Sequence, residues 1–69
     1  MTDGMRAISI SMAGDLTYAL IETMPELWDI LTERDGEIVN TSRGHHTAGA
    51  EAFVREKIRE GGVARRIRF

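Results

Sequence analysis

The chain has 69 residues, a net charge of −2 and no cysteine, which together exclude several classes of protein. We expect residues 1–69 to form one small domain, which has neither a disulfide nor a thiolate metal site to stabilise it. No apolar run approaches the ~20 residues that span a bilayer, and no signal peptide opens the chain. We therefore expect a cytoplasmic protein without membrane contact.

Charge is divided unevenly along the chain. Residues 1–42 carry eight acidic residues against two basic ones, whereas residues 43–69 carry seven basic residues against three acidic ones. Such a split indicates either internal neutralisation or two surfaces for different partners.

The first predicted element is a strand over residues 6–12. Ile8, Ile10 and Met12 alternate with Ala7, Ser9 and Ser11. Strict alternation of this kind is typical of a strand with one buried face.

The longest periodic segment runs from Asp15 to Arg34 and predicts an amphipathic helix. At 100° per residue its apolar side chains fall in one arc, which includes Leu20, Leu27 and Trp28. Pro25 lies on the polar side, so the segment is interpreted as one kinked helix or as two short helices that meet near Thr23. Trp28 is expected to be a core residue.

A hairpin is the alternative interpretation of the same region. Gly14 and Asp15 are suited to a tight turn between the strand AISISMA and a second strand, LTYALIE. We rank the hairpin second, because the helical pattern continues across Pro25.

The second half of the chain predicts three further elements. EIVNT, residues 37–41, reads as a short strand, and SRGHH, residues 42–46, as a polar loop. A helix is predicted from Thr47 to Glu60 and ends at Gly61-Gly62, and a strand follows from Val63. The predicted fold class is therefore α+β, an α/β sandwich of order β-α-β-α-β: a three-stranded sheet with two helices on one face. The uncovered sheet face and the small core favour a homodimer.

Five acidic residues of the predicted helix supply the first functional hypothesis. They would form a stripe down its polar side: Asp15, Glu22, Glu26, Asp29 and Glu33. A charged stripe is either a solvated face or a docking surface for a protein with a basic surface. The docking interpretation predicts a non-enzymatic binding or regulatory protein that acts through protein–protein contacts, by analogy with small phage or bacterial inhibitors and regulators.

A second hypothesis is nucleic-acid binding through arginines. MRAISISM resembles the DNA-reading strand of ribbon-helix-helix proteins, and AEAFVREKIREG resembles their second helix. The resemblance implies a homodimeric, antitoxin-type regulator in which Arg6 and two of Ser9, Ser11 and Ala7 touch bases. The arginines that would contact nucleic acid are Arg6, Arg43, Arg65, Arg66 and Arg68. Those of the last strand are equally suited to protecting a sheet edge with charge.

The third hypothesis concerns two adjacent histidines. ELWDILTERDGEIVNTSRGHHT resembles the front of HicA-type messenger-RNA-cleaving toxins, whose Gly-Ser-His motif carries a catalytic histidine. The resemblance implies ribonuclease activity with His45 or His46 as the catalytic residue. Neighbouring histidines lack the i, i+4 spacing of a helical zinc site, and we rank a solvated loop above a general base or a metal site. We therefore predict no enzyme activity, no metal and no cofactor.

Overall fold

The computed structural model describes residues 6–67. They form five strands and one helix: β1 (Ala7–Ser11), β2 (Leu16–Met24), β3 (Leu27–Arg34), β4 (Glu37–His46), α1 (Thr47–Arg59) and β5 (Val63–Ile67). Arg68, the last predicted nucleic-acid-binding arginine, lies outside the described residues.

The five strands form a single antiparallel sheet of order β4-β3-β2-β1-β5. The first four strands are joined by short turns, so each lies beside the strand that precedes it. α1 then carries the chain across one face of the sheet, from β4 at one edge to β5 at the other. β1 is consequently an inner strand, paired with both β2 and β5.

The predicted helix from Asp15 to Arg34 is wrong, since this segment forms the hairpin of β2 and β3. Met24 pairs with Leu27, which leaves Pro25 and Glu26 as the turn. Glu26 has a φ of 67°, and proline followed by a residue of positive φ is the pattern of a type II turn. Pro25 therefore reverses the chain where we expected it to kink a helix.

The predicted fold class is wrong for the same reason. The described chain has a five-stranded sheet with one helix, whereas we expected a three-stranded sheet with two helices. Residues 42–46, predicted to be a polar loop, are the second half of β4.

Several local predictions are confirmed. β1 and β5 lie within the predicted first and last strands, and the helix begins at Thr47 and ends before Gly61-Gly62. The second-ranked hairpin between the first two apolar segments is also confirmed. Gly14 and Asp15 turn the chain there with φ values of 77° and 61°.

The core lies between α1 and one face of the sheet. Its buried side chains come from three inner strands and the helix: Ile10, Leu20, Trp28, Ile30 and Ala50. Phe53 and Val54 of α1 pack against this cluster. The prediction that Trp28 is a core residue is confirmed, and its indole Nε1 donates a 3.0 Å hydrogen bond to Thr47 Oγ1 at the start of α1.

Lys57 of α1 contacts two aromatic rings, Tyr18 on the sheet and Phe53 on its own helix. Lys57 Nζ lies 5.1 Å from the centroid of the Tyr18 ring and 5.2 Å from that of Phe53. An ammonium group at this distance from a ring face contributes ~0.5–1 kcal/mol or more when it is partly desolvated. Within residues 6–67, no helix has the length and apolar character needed to cross a membrane.

Candidate functional surfaces

The five acidic residues that we predicted to share one helix face lie in three separate places. Asp15 is in the β1–β2 turn, at one end of the sheet, and Glu22 and Glu26 are at the opposite end. Asp29 and Glu33 are on β3, and both lie on the sheet face opposite α1. The predicted acidic stripe is therefore wrong, because the helix that would have aligned these side chains does not exist.

Glu22 belongs to a structural ion pair. Arg6 donates two hydrogen bonds to its carboxylate, from Nε at 2.8 Å and from a terminal nitrogen at 2.7 Å. These bonds, with one from the Glu26 backbone N–H, lower the pKa of Glu22 to about 2, and the same pairing raises the pKa of Arg6. The Arg6 guanidinium also lies 5.3 Å from the Trp28 ring centroid. Arg6 thus closes this end of the sheet, and two of its N–H donors are already bound to Glu22.

At the other end, two turns and the start of β4 form a surface that we call the acidic corner: Asp15, Asp35, Glu37, Ile38 and Val39. The Asp35 N–H donates a 3.2 Å hydrogen bond to the Asp15 carbonyl, which ties the two turns together. Ile38 and Val39 are 56% and 57% exposed, and they are neighbours on the edge strand β4. Glu33 pairs with Ile38, and Arg34 pairs with Glu37, so one cation lies among these acids.

The sheet face opposite α1 is the second candidate surface, which we call the open face. Cross-strand pairing arranges its side chains in three rows: Ile67-Ala7-Ile21-Asp29, Arg65-Ser9-Ala19-Leu31-Thr41 and Val63-Ser11-Thr17-Glu33-Ile38. The rows contain small, hydroxyl and aliphatic side chains with three charged residues. Among residues 6–67 no element packs over this face, since α1 contributes to the core on the other side.

The four described arginines that were predicted to bind nucleic acid do not share one surface. Arg6 is paired with Glu22, and Arg43 lies in a bulge of β4 opposite Asp29. Arg65 and Arg66 are neighbours on β5, so they point to opposite faces of the sheet.

The ribbon-helix-helix resemblance does not extend to the fold. β1, the strand that resembles the DNA-reading strand, already has a partner on both sides. It therefore has no free edge for pairing with a second copy as a two-stranded ribbon.

His45 lies on β4 and forms a short contact with a serine. Ser42 Oγ is 2.6 Å from His45 Nε2, and both residues are half-buried. A catalytic Ser–His pair needs a third group that orients the imidazole. The nearby carboxylate of Asp29 is instead a 3.2 Å acceptor for the Gly44 backbone N–H. His46 is exposed. Within the described range, no group of 3 or more His, Cys, Asp or Glu residues is placed to hold a metal ion.

The sequence interpretation missed Asp35, Glu37 and Ser42 as candidate site residues. The predicted helix ends at Arg34 and the next predicted strand begins at Glu37, although Asp35-Gly36 between them is typical of a hairpin turn. The segment that resembles the toxins also differs from expectation, because its predicted first helix is the strand β3.

Comparison with known proteins gives no match. No family model, no curated protein and no solved structure matches this chain.

Proposed function

We propose that this chain is a non-enzymatic binding protein that docks a basic partner protein on its acidic corner. The observation that carries the proposal is the exposure of Ile38 and Val39 on an edge strand, beside carboxylates from two turns. Exposed aliphatic side chains with a polar rim are typical of a protein-binding site.

Charge indicates which kind of protein would bind. Asp15, Glu33, Asp35 and Glu37 lie at or beside the corner, and Arg34 offsets only part of their charge. A partner that brings lysine or arginine around an apolar centre would be attracted and oriented by these acids, whereas a phosphate backbone would be repelled.

The form of the docking contact follows from the shape of β4. This edge strand has register shifts against β3 at both of its ends, between Thr32 and Glu33 and between Trp28 and Ile30. Bulges of this kind interrupt the row of free backbone groups that a long added strand would need. We therefore propose recognition mainly through the side chains of the corner, with main-chain pairing limited to a few residues.

The experiment is affinity capture from cells of the source organism with three baits. The baits are the wild-type chain, a double variant Asp35→Lys/Glu37→Lys, and the control Glu51→Lys, which reverses an exposed acid on α1. We expect a protein that the wild type and the control retain, that the corner variant loses, and that remains after nuclease treatment. The same ranking should hold with that protein purified, and raised salt should weaken the binding.

Equal retention by all three baits would contradict the proposed surface. Loss of the captured protein after nuclease treatment would contradict the protein–protein mechanism and favour nucleic-acid binding. Circular dichroism of each bait checks that the substitutions leave the sheet intact.

A further inference from the structure

We propose that the open face of the sheet docks a second copy of this chain, with the two sheets face to face around a two-fold axis parallel to the strands. This inference concerns the open face, which meets the acidic corner only at Glu33 and Ile38, and it does not depend on the proposed function. It rests on the composition of the three cross-strand rows, on the position of their charges and on the area available.

The centre of the open face carries small side chains and little charge. Ser9, Ala19 and Leu31 form the middle row between Arg65 and Thr41, and each of the three is half-buried. Val63 and Ile67 are exposed aliphatic residues at the β5 end of the outer rows. Small and aliphatic side chains on a sheet face are the composition found where two sheets pack against each other.

The charged residues of this face are placed asymmetrically, which is the decisive feature. Arg65 lies on β5, whereas Asp29 and Glu33 lie on β3, three strand spacings away and therefore at roughly 14 Å. Asp29 is held in place by the hydrogen bond that it accepts from the Gly44 N–H. The face thus has a positive side and a negative side.

This asymmetry selects one way of pairing two copies. A two-fold axis perpendicular to the strands would place Arg65 over Arg65 of the second copy, which is repulsive. An axis parallel to the strands, between β1 and β2, places β5 over β3 of the second copy. Arg65 then lies above Leu31 of that copy, flanked by its Asp29 and Glu33, and symmetry repeats the contact once.

The overlap leaves the acidic corner accessible. With the axis between β1 and β2, four strands of each copy overlap and β4 projects beyond the interface. The overlap is about 19 Å by 17 Å, a footprint of roughly 300 Å² per copy. Because specific interfaces of standard size bury ~800 Å² of accessible surface per partner, we expect a weak, reversible dimer.

Association through the strand edges is less favourable. Antiparallel pairing of β5 with β5 of a second copy would bring Arg65 and Arg66 of both chains together. Pairing through β4 meets the two bulges described above. The charges of β5 therefore oppose edge pairing, while one of them, Arg65, favours face pairing.

Sedimentation equilibrium of the purified chain, from about 5 μM to 1 mM, tests the inference with four samples and one control. We expect the wild type to shift from monomer to dimer across this range. Arg65→Glu and Glu33→Lys should each weaken dimerisation by about tenfold or more, because each places like charges at both symmetric contacts. An equimolar mixture of these two variants should recover a heterodimer that is stronger than either variant's homodimer but weaker than the wild-type dimer. Three of its four charge contacts are between opposite charges, and the fourth places the introduced glutamate beside Asp29.

The control is Arg66→Glu, which changes the same charge on the same strand but on the other face. It should leave the dimerisation constant within about twofold of wild type. A wild-type chain that stays monomeric at 1 mM would overturn the inference, as would a dimer that is insensitive to Arg65→Glu. Equal weakening by Arg66→Glu, or no recovery in the mixture, would overturn the face-to-face geometry.

Discussion

Replacement of Gly62 by alanine tests how the helix is joined to the sheet. A Cβ at this position would lie 2.6 Å from Met12 Sδ, 2.8 Å from Ile10 Cγ2 and 2.9 Å from the Lys57 carbonyl oxygen. Met12 is only partly buried and can move aside, but Ile10 is fully buried in the core. The Lys57 carbonyl is equally constrained, since it accepts the Gly62 N–H at 2.8 Å.

The substitution therefore forces a backbone or core shift. Overpacking of this kind costs ~1–3 kcal/mol, and for a domain of this size each kcal/mol lowers Tm by roughly 4–8 °C. We expect Gly62→Ala to lower Tm by about 5–15 °C, measured by circular dichroism, with a matching loss of unfolding free energy in urea.

Gly49→Ala is the matched control. Gly49 lies in α1, and a Cβ there would meet nothing within 4 Å. Because alanine is the better helix former, this change should stabilise the chain by ~0.5–1 kcal/mol. A Gly62→Ala variant that is as stable as Gly49→Ala would refute the packing of the α1–β5 connection against β1.

Three further predictions concern the core, pH dependence and the histidines. Leu20→Ala should lower the free energy of unfolding by ~2–5 kcal/mol because Leu20 is fully buried. The control Met24→Ala, at a residue 61% exposed, should change it by less than ~0.5 kcal/mol. Equal urea midpoints for the two variants would contradict the assigned core. The pKa of Glu22 lies below its ordinary value of 4.5, at about 2, so its pairing with Arg6 stabilises the fold above pH 4.5 and is lost as the pH falls towards 2. Stability should therefore fall less steeply over this range in Glu22→Gln, and parallel pH profiles would contradict the pairing. Replacing His45 and His46 by alanine should cost only the ~1 kcal/mol of the Ser42 hydrogen bond and leave partner binding intact, whereas histidine-dependent cleavage of RNA by the wild type would establish the toxin-like activity.

The sequence predicted those elements whose apolar pattern has one interpretation. In β1, Ile8 and Ile10 alternate with small residues, and in α1 Ala50, Phe53 and Val54 follow helical spacing between a polar start and Gly61-Gly62. In both segments one face is apolar, so the periodicity of the sequence matches the pattern of buried residues in the structure.

The hairpin of β2 and β3 was mispredicted because both of its faces carry apolar residues. Leu20 and Ile30 point into the core, while Ala19 and Leu31 lie on the open face. The continuous apolar segments that result hide the polar–apolar alternation of a strand. At 100° per residue they also match the apolar face of a helix. Pro25 was the available signal, because a proline between two apolar runs initiates a turn more readily than it continues a helix.

The misassignment carried over to the candidate site. Glu22, Asp29 and Glu33 were grouped because a helix would align them, whereas a hairpin distributes them between its two ends and two faces. The acidic corner depends on the contact between the Asp15 and Asp35 turns, which are twenty residues apart in sequence. Only the pairing register of the strands brings these turns together, and residue spacing does not reveal it.

The most direct test of corner-mediated protein binding is chemical-shift mapping on the ¹⁵N-labelled chain with two probes. The first is a short peptide of alternating lysine and valine, with its glutamate–valine counterpart as control, and the second is a single-stranded RNA oligonucleotide. We predict salt-sensitive shifts of the Ile38 and Val39 amides with the lysine peptide, and none with the glutamate peptide or the RNA. Shifts centred on Arg65 and Arg66 with RNA, and an unchanged acidic corner with the lysine peptide, would contradict the proposed function.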